Sequence, residues 1–372
     1  MKRAIAVLLC LCYVTGAAQE QSFVMRPALH SPDAKKALLL DLDWVGDRLV
    51  AVGEQGHIIY SDDRGASWTH AQVPISLMIT AVDFPTAEHG WAVGHEGLVL
   101  RSDDRAQNWS VAMTGEDIAG KQIEAAERRV AQAQAALDEA PEEEAEDAQW
   151  ALEEAEFALE DARRAEEEGF VHPALNVWFR DADHGYITGA YGMLLHTSDG
   201  GNTWQLHSNR LDNPNGYHLY DIARTPAGSL IVVGEAGQLH RSRDDSETWE
   251  ALDSPYEGSF FGVVATDKGS LLIFGLRGRI YRSEDEGENW SAIDAPGDST
   301  LFDGRLVEDG RIVLVGAAGT VLHSEDDGRS FERLSLDTRA SLAGVVAGSD
   351  DLIIAGFGGI HAGVKMTGGA AR

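Results

Sequence analysis

"AVGEQGHIIYSDDRGASW", residues 51–68, joins a G-x-x-G turn at Gly53 to an acidic box that ends on Trp68. Two aspartates, an arginine and a serine within eight positions have the density of a catalytic or metal site. A motif that recurs at fixed spacing, however, is a structural unit. Related boxes end at Trp109, Trp204, Trp249, Trp290 and Phe331, with successive gaps of 41, 95, 45, 41 and 41 residues. The first glycine of a G-x-x-G stands fifteen residues before each terminal aromatic, at 53, 94, 189, 234, 275 and 316. A seventh copy, "GFGG" at 356, has no box after it.

Each unit reads as an apolar run, a turn, a second run, G-x-x-G, a third run, the box and a short fourth run. The first is "ALLLDLDWV", "RLVAV", "HIIYS" and "SWTHA". Runs of this length, rich in Val, Ile and Leu and bounded by Gly and Asp, fit buried strands. Four short strands every 40 to 45 residues predict propeller blades, so the fold class is an all-β seven-bladed β-propeller. The seventh unit supplies three strands. The N-terminal "SFVMRPALH" (22–30) is the expected fourth, joining the last blade and removing an open sheet edge.

The box falls where a tight turn joins the third and fourth strands. Asp63, Asp104, Asp199, Asp244, Asp285 and Asp326 occupy its third position, where a carboxylate bonds turn backbone, and the fifth position favours Gly. Ala106 and Ser246 replace that glycine, so two turns are expected to be strained or differently shaped. The aromatics Trp68, Trp109, Trp204, Trp249, Trp290 and Phe331 are expected to pack between blades. The boxes are therefore read as structural, neither metal-binding nor catalytic.

The S/T-x-D-x-G-x-x-W box is the Asp-box signature shared by sialidases and many other propellers. Coupled to V/I-x-G-x-x-G at constant spacing, as also in "VVGEAGQLHRSRDDSETW" (232–249), it resembles the photosystem II stability and assembly factor family over residues 38–364, apart from one insertion. The resemblance implies a soluble lumenal or periplasmic propeller, without enzymatic activity, that helps assemble a membrane protein complex. In non-photosynthetic bacteria it implies a gene encoded near those of resistance-nodulation-division type transporters, making a transporter subunit a candidate partner. A role in assembling chlorophyll complexes would require a photosynthetic source.

The chain opens with Lys2 and Arg3, an apolar run from Ala4 to Val14, and Gly16-Ala17-Ala18, the pattern of a secretory signal peptide (1–18). A soluble periplasmic or secreted product is expected, without direct membrane insertion of the mature chain. Both cysteines, Cys10 and Cys12, lie in this segment. The net charge of −31 repels phosphate backbones and anionic lipid heads, which argues against nucleic acid and direct membrane adsorption.

Excising the 54 residues Gly115–Glu168 restores the 41-residue repeat. The propeller then comprises 19–114 and 169–364, with 365–372 as a tail. The insertion is rich in Ala and Glu. Its apolar positions, Ile123, Ala126, Val130, Ala133 and Leu137, then Ala145, Ala148, Leu152, Ala155, Leu159 and Ala162, step by three and four as in a coiled-coil seam. An antiparallel helical hairpin follows, with Pro141 in the first turn of a second helix of about 26 residues. It carries 19 acidic and 5 basic residues. Trp150 and Phe157 fall opposite the seam, so they either dock the arm on the propeller or meet a partner.

Blade connectivity places the arm on the same face as the G-x-x-G turns. Candidate partner-binding residues there are Glu54, His95, Glu96, Tyr191, Glu235, Arg277 and Phe357 from the turns, and Tyr217, His218, Phe260, Phe261 and Asp303 near the innermost strands.

No cofactor is implied, and no H-E-x-x-H, G-x-S-x-G or cysteine metal motif is present. His89, His184, His196 and His323 occupy repeat positions. A sialidase-like glycosidase needs a three-arginine cluster that spacing does not supply, although "FVMRP" (23–27) is similar to that group's arginine strand. A glycan-binding or glycosidase propeller is the alternative to a scaffold.

Overall fold

The computed structural model describes residues 26–169, 171–307, 309–348 and 351–366. Within them the chain forms seven antiparallel sheets, six of four strands and one of three, with the strands of each sheet in sequence order. These are blades 1 to 7. Their innermost strands are Leu39–Val45, Ile79–Asp83, Ala174–Phe179, Leu219–Arg224, Phe260–Ala265, Leu301–Leu306 and Leu342–Ala347. Second strands such as Arg48–Gly53 and Leu271–Gly275 are buried along their whole length, which explains their continuous apolar runs.

Blades pack through their faces, and the terminal aromatics fill the gaps. Trp109 joins the apolar core between blades 1 and 2, and Phe331 that between blades 5 and 6. Trp204 meets Trp91 and Phe179 edge-on, each with ring centroids 5.9 Å apart. The acidic turns satisfy themselves. Asp63 accepts the Ser67 backbone N–H at 2.7 Å and the Ser61 and Ser67 hydroxyls at 2.8 and 2.6 Å. These bonds pull its carboxyl down to about 2. Ala106 and Ser246 adopt φ 65° and 68°, like the glycines they replace. Those two turns are thus strained but not reshaped. Their N–H groups reach the Ser102 and Ser242 hydroxyls at 3.1 and 2.9 Å.

The ring closes differently from the expectation. Residues 26–30 are not a strand. Ala28 donates to the Val73 carbonyl at 3.1 Å and His30 stacks on His70, both beside blade 1. Residues 22–25 lie outside the described residues, as does the 1–18 leader. Blades 1 and 7 are joined instead by a shared apolar core and by Trp44 Nε1 donating to the Ala347 carbonyl at 2.8 Å. A short helical turn, Ala34–Lys36, rests on the last strand, Gly359–Lys365, where Gly359 makes room for the Lys35 backbone.

Helices α1 (Gly115–Glu139) and α2 (Ala145–Glu168) form the arm. Thr114 caps α1 in a reciprocal box with Asp117. The seam residues of both helices are the covered ones, and Leu152 and Ala155 are the most deeply buried of them. Pro141 is not in the first turn of α2. Residues 141–144 form the connecting turn, because a helix starting at Pro141 would leave only Ala140 to reverse the chain. The second helix therefore has 24 residues. The arm is rooted by Ile118 and Ala119, buried with Met113, Ala174 and Met193 between blades 2 and 3.

Candidate functional site

Each innermost strand carries a β-bulge after its first residue, seen as a register shift such as Leu39↔Gly53 followed by Asp41↔Val52. A bulge re-aims side chains, so consecutive residues face the central channel together. The second residues include Tyr220, Phe261 and Phe302, and the third include Asp41, Asn176, Asp221 and Asp303. The bulge also explains the first glycine of G-x-x-G. A Cβ on Gly53 would lie 2.1 Å from the Leu38 carbonyl oxygen, and one on Gly316 would lie 2.1 Å from that of Thr300.

The channel carboxylates fasten neighbouring blades. Asp41, Asp43, Asp83, Asp221 and Asp303 each accept a backbone N–H from the next innermost strand: Val82, Phe84, Phe179, Val263 and Val345, at 2.8 to 3.0 Å. An innermost strand is a sheet edge, and these carboxylates satisfy its otherwise unpaired donors. Asp303, expected at a partner surface, belongs to this ring of staples. Burial pushes Asp41 and Asp221 up to about 7, and raises Asp43 and Asp83 as well. Arg305 stands among them. Burial opposes its charge, but Asp303, Asp41, Asp43 and Asp221 outweigh that and hold it above its usual value.

From the channel a track of rings climbs to the arm-side face. Phe302 and Phe261 lie 5.8 Å apart, Phe261 and Tyr220 4.9 Å, Tyr220 and His218 6.2 Å, His218 and Tyr191 5.1 Å, and Tyr191 and His172 4.2 Å. The Tyr191 backbone N–H donates to His218 Nδ1 at 3.1 Å, and Glu235 accepts the His218 backbone N–H at 3.2 Å. Tyr191 has φ 55° and is 61% exposed, held outward by its left-handed turn.

The remaining candidates separate by burial. His95, Arg277 and Phe357 are exposed on their turns, and Glu96 is half-buried. Glu54 is occupied by the Leu38 N–H at 2.9 Å, and Tyr217 is tied through its backbone to Asn213. Phe260 is no surface residue: it is fully buried against Tyr256 and Tyr281, because it precedes the bulge and points into the blade. Trp150 and Phe157 are 67% and 64% exposed, so they do not dock the arm on the propeller.

On the opposite face a second network was missed. Arg48 donates to the Arg105 carbonyl at 2.7 Å, Arg241 to that of Glu286 at 2.5 Å and Arg282 to that of Asp327 at 2.7 Å, while Arg180 pairs with Asp245. Each arginine reaches the acidic turn of the following blade. Arg241 and Arg282 share one repeat position, seven residues after the first glycine of G-x-x-G, which was a readable signal, whereas Arg48 and Arg180 stand at other positions.

The fold and site define an all-β seven-bladed propeller whose arm-side face joins a helical hairpin to an aromatic channel mouth. Residues 166–320 match the family described as photosynthesis system II assembly factor YCF48, and the chain is similar to that family over that stretch. No curated protein matches the sequence. The structure is similar to YCF48 bound to D1 peptide, at TM-score 0.60 and 16% identity over 92% of this chain and 97% of that one. It is also similar to YCF48 from Cyanidioschyzon merolae, at TM-score 0.59 and 14% identity over 90% and 97%. The WD40 propeller domain of Doa1 aligns as well, at TM-score 0.61 and 11% identity over 91% and 95%, so these likenesses speak for the fold.

Proposed function

We propose that the protein is an exported, non-enzymatic scaffold that binds a membrane protein complex through its arm-side face. The observation that carries this is the ring track from Tyr191 to Phe302, a preorganised aromatic surface at the mouth of a channel. The family match over residues 166–320 supports an assembly role, and one solved YCF48 is bound to D1 peptide. In a non-photosynthetic bacterium the client is a transporter of the resistance-nodulation-division type. Export follows from the basic, apolar and small-residue pattern of residues 1–18.

A glycosidase is less well supported. Among the described residues the channel is lined by two arginines, Arg224 and Arg305, and Tyr220 is held above its ordinary value by burial and by Glu235, the reverse of an activated nucleophile.

The arm adds a second contact area through Trp150 and Phe157. Pull-down from detergent-solubilised membranes of the source organism tests the scaffold. Wild-type protein recovers a membrane complex. Tyr191→Ser or the pair Trp150→Ala and Phe157→Ala weakens recovery, by about 2 kcal/mol for interface anchors. Replacing residues 115–168 by a short Gly-Ser link leaves a folded propeller with reduced recovery. Absence of any membrane protein in the wild-type eluate would end the scaffold reading.

A further inference from the structure

The channel mouth has two chemically different walls around a cavity of about 490 Å³. One is the aromatic arc of Tyr220, Phe261 and Phe302, contributed by three successive blades. The other is the set of carboxylates below it, which outnumber the guanidinium groups lining the cavity. A backbone N–H accepted by a carboxylate leaves its charge uncancelled once the group is ionised, which for Asp41 and Asp221 takes place around pH 7.

Arg305 shows how this enclosure treats a cation. Its side chain is 41% exposed to the channel, its carboxylate contact, with Asp41, is at 3.7 Å, and its Nε is buried without a hydrogen-bond partner. The guanidinium is nonetheless held charged by the surrounding carboxylates rather than by close pairing. A second cation entering from the face would meet the same field and the faces or edges of three aromatic rings.

We propose that the channel mouth receives one lysine or arginine side chain carried by an extended apolar segment, which lies along the ring track from Tyr191 to Phe302. This rests on the scaffold reading and names its ligand chemistry. The choice of occupant follows from charge complementarity: apolar rings match the segment's flanks, and the carboxylates below match its cation. Binding would draw protons from Asp41 and Asp221, which burial raises to about 7, so affinity increases from pH 6 to pH 8. The other charged groups facing this space are Asp43, Asp83, Asp303, Arg224 and Arg305.

The test is calorimetric titration of the full mature chain with a capped nonapeptide bearing one central lysine between leucine and tyrosine residues. Peptides with norleucine or glutamate at the centre, and free spermidine, are the comparisons. The lysine peptide is expected to bind about tenfold more tightly than the norleucine peptide, and the glutamate peptide not at all. Phe261→Ala weakens binding about tenfold, with Tyr220→Ala as a second variant if the first is unfolded by circular dichroism. Arg305→Gln tightens binding several-fold by removing the resident cation, which loss of a merely structural arginine would not do. Equal affinity for lysine and norleucine peptides, spermidine binding as tightly as the peptide, or weaker binding by a folded Arg305→Gln protein overturns the proposal. If the nonapeptide fails while the membrane pull-down succeeds, this inference falls and the scaffold stands. Peptide binding without any membrane client leaves the cation site standing and ends the scaffold reading.

Discussion

Asp327→Asn removes one charge from the buried contact between blades 5 and 6. Arg282, 7% exposed, places a terminal nitrogen 2.6 Å from the carboxylate of Asp327, itself 4% exposed, and its Nε donates to the Asp327 carbonyl at 2.7 Å. The Ser270 hydroxyl donates to the same carboxylate oxygen at 2.8 Å. Removing one partner of a buried pair costs about 3–5 kcal/mol, because the survivor stays charged away from water. Asparagine keeps an acceptor oxygen, and Glu284 still meets Arg282 at 2.5 Å from the solvent side, so a cost of about 3 kcal/mol, near the low end, is expected. Asp327→Ala costs about 1 kcal/mol more, since the residue sits at φ 64°, where alanine is disfavoured. Glu284→Gln leaves stability near wild type, because that carboxylate is screened by water. Arg282→Met combined with Asp327→Asn costs less than the sum of the singles, with a coupling of about 2 kcal/mol. Urea unfolding followed by tryptophan fluorescence, fitted with a shared slope, measures these four and the Arg282→Met single. A folded Asp327→Asn protein within 1 kcal/mol of wild type, or additive singles, would refute the reasoning.

Three further outcomes are expected. Asp41 and Asp221 keep their protons to about pH 7 when folded but lose them near 3.8 when unfolded, so the stability they contribute is present in acid and lost as pH rises through 7. His207 and His240, pushed down by burial to about 3 and 4, contribute stability that is present above their unfolded value near 6.5 and lost as pH falls. Between about pH 4 and 7, where the folded and unfolded carboxyls bind different numbers of protons, the wild type therefore loses this contribution as pH rises and Asp41→Asn loses less of it, so the variant's melting temperature gains on the wild type's; parallel profiles would count against the channel assignment. Gly359→Ala, whose Cβ would sit 1.9 Å from the Lys35 carbonyl oxygen at φ 94°, costs about 3 kcal/mol and exposes residues 26–37 to protease; an unchanged digestion pattern would show that this contact does not hold the seam. Asp285→Ala lowers the melting temperature through its lost bonds to Asn289, without selectively removing client recovery; normal melting with no recovery would make that turn a binding site.

The blade count, the turn role of the acidic boxes and the seam of the arm were legible because each rests on residues close in sequence. Asp63 bonds Ser67 four residues away, and the arm's apolar positions repeat with the helical period, so pattern and physics share one length scale. The arm's turn at 141–144 was misplaced by a few residues because proline suits both a first helical turn and the turn before it.

Tertiary structure decided what lies across blades. Asp41 meets Val82, Asp303 meets Val345 and Arg282 meets Asp327, partners more than 40 residues apart that only a closed ring brings together. Phe260 and Phe261 looked alike in sequence. One is core and the other lines the channel, because a bulge between them changes which way successive side chains point. The N-terminal segment was assigned to blade 7 to remove a sheet edge, but residues 26–30 lie beside blade 1, since packing of blade 1 against blade 7 already buries the seam. Repeats specify their own local geometry, whereas the channel, its charge and its aromatic mouth exist only once seven of them share an axis.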